Sequence, residues 1–186
     1  MTLELLCACI VWSLMLAASI SDLRSRRVPN ALVLYGVLLG LAFNAFAPAD
    51  TSLLPGRDTG VPAALLGGLT GLALFLPLYA LRLLGAGDVK LLAMAGVWLG
   101  AQSVMHAALW SMAAGGVLGL GMALASPRGT LRQVGLNMLR MGRATLVRGC
   151  TAGMLVQAPV QTTGRLPYAL AIAAGTAVEM VRLLSA

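Results

Sequence analysis

Six side chains in this sequence carry a carboxylate: Glu4, Asp22, Asp50, Asp58, Asp88 and Glu179. Asp22 follows the first apolar run, and Asp88 closes Gly85-Ala86-Gly87-Asp88 just ahead of another. Ionisable groups beside such segments are costly to retain and are functional candidates by default. Two carboxylates that share a site push one pKa up, so the pair holds a single proton near neutral pH. The ionised member then takes a proton from water while the protonated one donates to a carbonyl oxygen, which is a route to amide hydrolysis. Gly85 and Gly87 suit that chemistry, because a chain without Cβ atoms admits an extended peptide backbone beside Asp88. Plainer readings exist for both acids. Asp88, ahead of Val89-Lys90-Leu91-Leu92, has the position of a helix N-cap. Asp22 is placed to pair with Arg24, Arg26 or Lys90 in an ion pair of small value.

Other chemistries find less support. The single histidine, His106, and the lack of an HExxH pattern exclude a zinc protease of that type. His106 reads as a polar residue in a connection between helices. Gly85-Ala86-Gly87 is not followed by the Lys-Ser/Thr of a phosphate-binding loop. Cys7, Cys9 and Cys150 are an odd set, and two thiols one residue apart on a helix point in different directions, so all three read as small apolar fillers. Trp12, Trp98 and Trp110 read as lipid-facing or packing aromatics, and the ten methionines as core fillers.

The elements that must position the two aspartates follow from composition. The 186 residues are 59% hydrophobic and 10% charged, with a mean hydropathy of +0.89. A soluble domain carries about 25% charged residues, so the chain is expected to be an all-α polytopic membrane protein. At about 20 residues per crossing, about six transmembrane helices fit and no separate soluble domain does. The chain reads as a single membrane domain over 1–186. The runs are Leu5 to Ile20, Ala31 to Ala47, Pro62 to Leu81, Leu91 to Ala125 and Pro167 to Leu184. The fourth, as one helix, would be about 50 Å long, so it is expected to be two helices joined near Gly100 to His106.

The net charge of +7 comes from thirteen Lys and Arg against six acids. With the N-terminus outside, the inner loops hold Arg24, Arg26, Arg27, Arg82, Lys90, Arg128, Arg132, Arg140, Arg143, Arg148 and Arg165, leaving only Arg57 and Arg182 outside. This is the positive-inside pattern, not a nucleic-acid surface. The same parity puts Asp22 and Asp88 together at the cytoplasmic boundary, and Glu4, Asp50, Asp58 and Glu179 outside, in loops or at helix ends. Within the basic segment 126–165, Leu131, Val134, Met138 and Met141 recur at helical spacing opposite Arg128, Arg132, Arg140 and Arg143. That is an amphipathic helix lying on lipid. Gly36/Gly40, Gly67/Gly71 and Gly115/Gly119 are small-residue pairs that let helices approach closely.

Three segments of the chain resemble signatures of the type IV prepilin peptidases, a family of GxGD intramembrane aspartyl proteases. Ser21-Asp22-Leu23-Arg24-Ser25-Arg26-Arg27-Val28-Pro29-Asn30 resembles the family's first loop, an Asp with [IV]-P-N six residues on. Gly85-Ala86-Gly87-Asp88-Val89-Lys90-Leu91-Leu92-Ala93 resembles its GxGD loop. Arg165-Leu166-Pro167-Tyr168-Ala169-Leu170-Ala171 is similar to the start of its last helix. The resemblance implies an inner-membrane protease that removes the leader of prepilin-like substrates at the cytoplasmic face. Asp22 and Asp88 match the family's catalytic aspartates.

The larger members carry an inserted cytoplasmic domain, often with CxxC pairs, and also methylate the new N-terminus. Here only Asp22 to Asn30 separates the first two helices and no CxxC occurs. The chain therefore resembles the small form associated with Flp pili of tight-adherence systems, and methyltransferase activity is expected to be absent. No metal, nucleotide or other cofactor is expected. Gly85 and Gly87 are expected to shape the active-site loop, and Lys90 either supports the site by setting its local field or, the preferred reading, marks the inner boundary. The partners implied are a prepilin or pseudopilin substrate and membrane lipid. Two rival readings are a proton-coupled transporter using the Asp pair and a non-catalytic scaffold of a pilus or secretion system. A transporter should carry acids near the bilayer midplane, and a scaffold should tolerate Asp→Asn.

Overall fold

The computed structural model describes residues 2–46, 60–81, 83–125 and 168–185. Six α-helices make up these residues: α1 (Thr2–Ser25), α2 (Asn30–Phe46), α3 (Val61–Ala80), α4 (Ala86–Leu99), α5 (Ala101–Ala125) and α6 (Tyr168–Ser185). The expected all-α architecture is what forms. The segment 126–165, read as an amphipathic helix, lies outside the described residues, as do Asp50, Asp58 and Cys150.

Among the described residues, four helices are long and apolar enough to cross a membrane: α1 from Leu5, α3, α5 to Met122, and α6. At 17 residues α2 is a shorter apolar helix. At 14 residues α4 is shorter still, and Val89, Leu91, Leu92 and every residue from Met94 to Leu99 are buried. A helix buried all round is the centre of a bundle. The other helices surround it, with α3 and α2 on one side and α5, α6 and α1 on the others. Trp98 fixes α2 to α4, its indole N–H donating to the Gly36 carbonyl at 2.9 Å and its ring lying 5.5 Å from that of Phe43.

The long apolar stretch divides into two helices, as expected, but the joint is the single residue Gly100. Its φ of 81° is left-handed, a conformation glycine adopts without a Cβ clash. His106, expected in a connection, therefore lies early in α5.

Backbone approach explains most of the glycine pairs. A Cβ on Gly36 or Gly40 would run into Met94 or into Val97 and Trp98, and one on Gly71 into the backbone of Leu92. Gly67 meets the Gly96 carbonyl and the Gly100 backbone, so α3 and α4 touch main chain to main chain. Without a hydrophobic drive between helices in lipid, such contacts and their dispersion energy hold a bundle together. Gly115 lies against the Tyr168 ring, whereas Gly119 has open space around it and is not a packing glycine among the described residues.

Candidate active site

The buried stripe of α1 is Cys7, Ala8, Val11, Met15, Ala18 and Ser19, recurring at three- and four-residue spacing. Asp22 is the next position on that stripe. It is still helical, since α1 continues to Ser25, so the stripe delivers its carboxylate to the inner side of the bundle, half-buried. There Asp22 Oδ2 accepts the backbone N–H of Ala169 at 3.3 Å, in the first turn of α6. Ala169 is held a second time by α1, because the buried Ser19 hydroxyl donates to its carbonyl at 3.4 Å. The ion pair of the plainer reading, between Asp22 and Arg24, Arg26 or Lys90, does not form among the described residues. The partner of Asp22 is a helix-terminal amide instead, a donor that otherwise has none within its own helix.

The chain reverses immediately after Asp22. Arg26 takes a left-handed φ of 52° with its amide bonded to the Asp22 carbonyl at 2.8 Å. The Ser21 and Ser25 hydroxyls both donate to the Arg27 carbonyl, at 3.0 and 3.3 Å. Val28 and Pro29 then lead into α2 at Asn30.

Asp88 enters from α4. Gly85, in an extended conformation, is the N-cap of that helix, and Asp88 occupies the third helical position. Asp88 is therefore not the N-cap that its place in the sequence suggests. Its Oδ2 reaches back to accept the Gly85 N–H at 3.0 Å, the carboxylate half of a capping box. Gly87 packs on the segment after Asp22, since a Cβ there would stand 3.3 Å from Val28 Cβ. Lys90 Nζ donates to Asn30 Oδ1 at 3.1 Å.

Asp88 lies ahead of the apolar part of α4 and outside the four long spans. Desolvation pushes its carboxyl up to about 6, the Gly85 N–H opposes the rise, and the charge of Asp22 adds to it. Asp22 and Asp88, far apart in sequence, are thus within electrostatic reach of each other. Tyr168, at the start of α6, packs edge-on against Phe75 at 6.1 Å and is also within reach of Asp88. Tyr168, Ala169, Val28 and Asn30 had no individual role in the reading of the sequence. The three motifs that contain them were the available signal.

A second polar cluster lies toward the other ends of α5 and α6. Glu179 was expected outside at a helix end, yet it is fully buried, on the stripe of Ala169, Ile172, Gly175 and Thr176. His106 Nδ1 lies 3.3 Å from Glu179 Oε1 and Arg182 lies 3.8 Å from Oε2.

The model of the type IV leader peptidase family matches residues 9–120, more than half of the chain. The chain belongs to this family. The match runs from α1 through most of α5 and takes in both Asp22 and Asp88, while the Ala169 contact from α6 lies beyond it. Searches of curated proteins and of solved structures returned no match. As a type IV leader peptidase the chain is a membrane protease of prepilin-leader type, and its substrates are prepilin-like.

Proposed function

We propose that this family member is an aspartyl endopeptidase that cleaves the leader from Flp-type prepilins at the cytoplasmic face of the bacterial inner membrane. Asp22 and Asp88 are its catalytic residues. The observation that supports this most is their convergence. The end of α1 and the start of α4 bring the two carboxylates close enough for the charge of one to bear on the proton of the other.

Asp88, with its carboxyl raised to about 6, is the member that holds the shared proton. Asp22, whose Oδ2 faces a helix-terminal amide, is the base. Asp22 takes a proton from water as the water oxygen adds to the scissile carbonyl, and Asp88 gives its proton to the carbonyl oxygen. The tetrahedral intermediate then collapses. The C–N bond breaks, the proton on Asp22 goes to the leaving amine, and the new carboxylic acid returns a proton to Asp88. Gly85 and Gly87 leave room beside Asp88 for the extended substrate backbone. The substrate's apolar helix stays in the bilayer, so its leader meets the aspartates at the boundary.

The basic loops support a topology with the N-terminus outside and this site inside. The short connection between Asp22 and Asn30 supports cleavage without methylation. The deciding experiment is intact-mass analysis of an Flp-type prepilin co-expressed with the wild type, Asp22→Asn or Asp88→Asn. Leader loss with the wild type alone is the expected result. Cleavage by both variants would overturn the aspartyl mechanism, and an added methyl mass on the product would overturn the absence of methylation.

A further inference from the structure

The two aspartates sit on helices that share little direct contact. α1 packs mainly on α6 and touches α4 only lightly. Besides the start of α6, residues 28–30 on one side and 87–90 on the other join the two acidic motifs directly. Val28 packs on Gly87 where a Cβ would already be tight, and Lys90 reaches Asn30 at 3.1 Å. Asn30 is the first residue of α2, and Lys90 lies in the second turn of α4. The two contacts therefore fix both the separation and the register of the helix starts beside which Asp22 and Asp88 stand.

We propose that Lys90 and Asn30, with Val28 seated on Gly87, form a brace that sets the spacing of the two aspartates, making Lys90 and Asn30 positioning residues. The proposal rests on the aspartyl reading given above. Lys90 is chemically suited to this task. Its acceptor is a neutral amide and not a carboxylate, so the ammonium bridges the motifs without neutralising either catalytic acid. Its four-carbon stem spans from α4 to α2, and the head stays exposed to water. An exposed side-chain hydrogen bond contributes little to global stability. A small displacement of a catalytic group costs far more, about a hundredfold in rate for 1 Å. The signature of a brace is a fall in turnover that leaves the fold intact.

The test uses purified full-length protein in detergent micelles with a full-length Flp-type prepilin as substrate. It compares Asn30→Ala, Lys90→Ala, their double variant, Lys90→Arg and Asp22→Asn. Each single alanine variant is expected to lower kcat roughly tenfold, with KM and melting temperature little changed. The double variant is expected to fall no further than the worse single, because one contact is lost either way. Lys90→Arg, which keeps the donor and its reach, is expected to recover most of the rate. Losses that multiply in the double variant, or single variants with unchanged kcat, would overturn the brace. A shifted pH profile in Lys90→Ala that is absent in Asn30→Ala would also overturn it, since Lys90 would then act through its charge.

A second readout does not depend on catalysis. Spin labels at Leu23→Cys and Ala86→Cys, in a chain with Cys7, Cys9 and Cys150 changed to Ala, report the separation of the end of α1 from the start of α4. A narrow distance that broadens in Asn30→Ala supports the brace, and an unchanged distribution sinks it. Failure of the aspartyl reading shows separately, as cleavage by Asp22→Asn.

Discussion

Asp22 Oδ2 accepts the amide proton of Ala169, a residue 147 positions later in the chain. One hydrogen bond thus ties the last turn of the first helix to the first turn of the last. The bond can be removed without breaking the helix, because proline is tolerated in a first turn, where the amide has no intrahelical partner. Ala169→Pro is expected to reduce kcat about tenfold with circular dichroism near wild type, and, because Ala169 is fully buried, to lower stability by about 1–3 kcal/mol as overpacking does. An unchanged rate would show that the amide does not orient Asp22.

The raised carboxyl of Asp88 gives a pH dependence with a definite sign. It moves from 3.8 to about 6 in the folded protein. Between those values the folded chain holds a proton that the unfolded chain has released, so stability falls as pH rises through the window and levels off above it. Asp88→Asn abolishes that fall. It is expected to melt higher than wild type at neutral pH, by on the order of 1–2 kcal/mol after discounting for partial exposure. Cleavage should show the same group, with kcat/KM declining as pH rises through about 6. A flat kcat/KM between roughly pH 5 and 7 would refute the assignment of Asp88 as the proton donor.

Gly67 and Gly119 make a paired test of packing. Gly67 faces the main chain of Gly96 and Gly100, and Gly119 faces open space. Gly67→Ala forces backbone apart and is expected to destabilise by about 1–3 kcal/mol, as overpacking does. Gly119→Ala should leave thermal unfolding in micelles unchanged. Equal effects would mean that α3 and α4 do not meet as described.

Arg26 holds a left-handed backbone with φ of 52°, which costs a non-glycine residue about 1 kcal/mol. Arg26→Gly relieves the strain and is expected to be neutral or slightly stabilising by melting temperature, with cleavage retained. A marked loss of stability would show instead that the arginine side chain holds the turn.

The path from sequence to site was uneven, and the reasons are physical. The apolar runs marked the helices because lipid and bundle interior both demand length and hydropathy. The aspartates stood out because acids are rare in such a chain. The second cluster did not, because the parity of the crossings assigns Glu179 a side of the membrane and not a face of its helix. Its place on the stripe of Ala169, Ile172 and Thr176 marks it as buried. The joint between α4 and α5 was drawn too wide for a related reason. One glycine at φ 81° suffices to end one helix and start another, and hydropathy does not register a single dihedral. The contacts of Asn30 with Lys90 and Val28 with Gly87 join segments remote in sequence, and periodicity within either segment carries no trace of them.

The shortness of α4 bears on how water reaches a bond at the bilayer edge. Fourteen residues rise about 21 Å at the usual helical pitch, against about 30 Å of hydrocarbon. A central helix that short cannot hold both its ends at the lipid surface. If its Gly100 end is level with one boundary, its Asp88 end is recessed among the helices that enclose it, and the bilayer around the bundle must thin or water must enter there. On the proposed aspartyl reading, an acid recessed in this way puts hydrolytic water at the depth where a helical substrate's first peptide bonds emerge. Membrane thickness then becomes a variable of the reaction, and thicker bilayers should slow cleavage without any change in the protein.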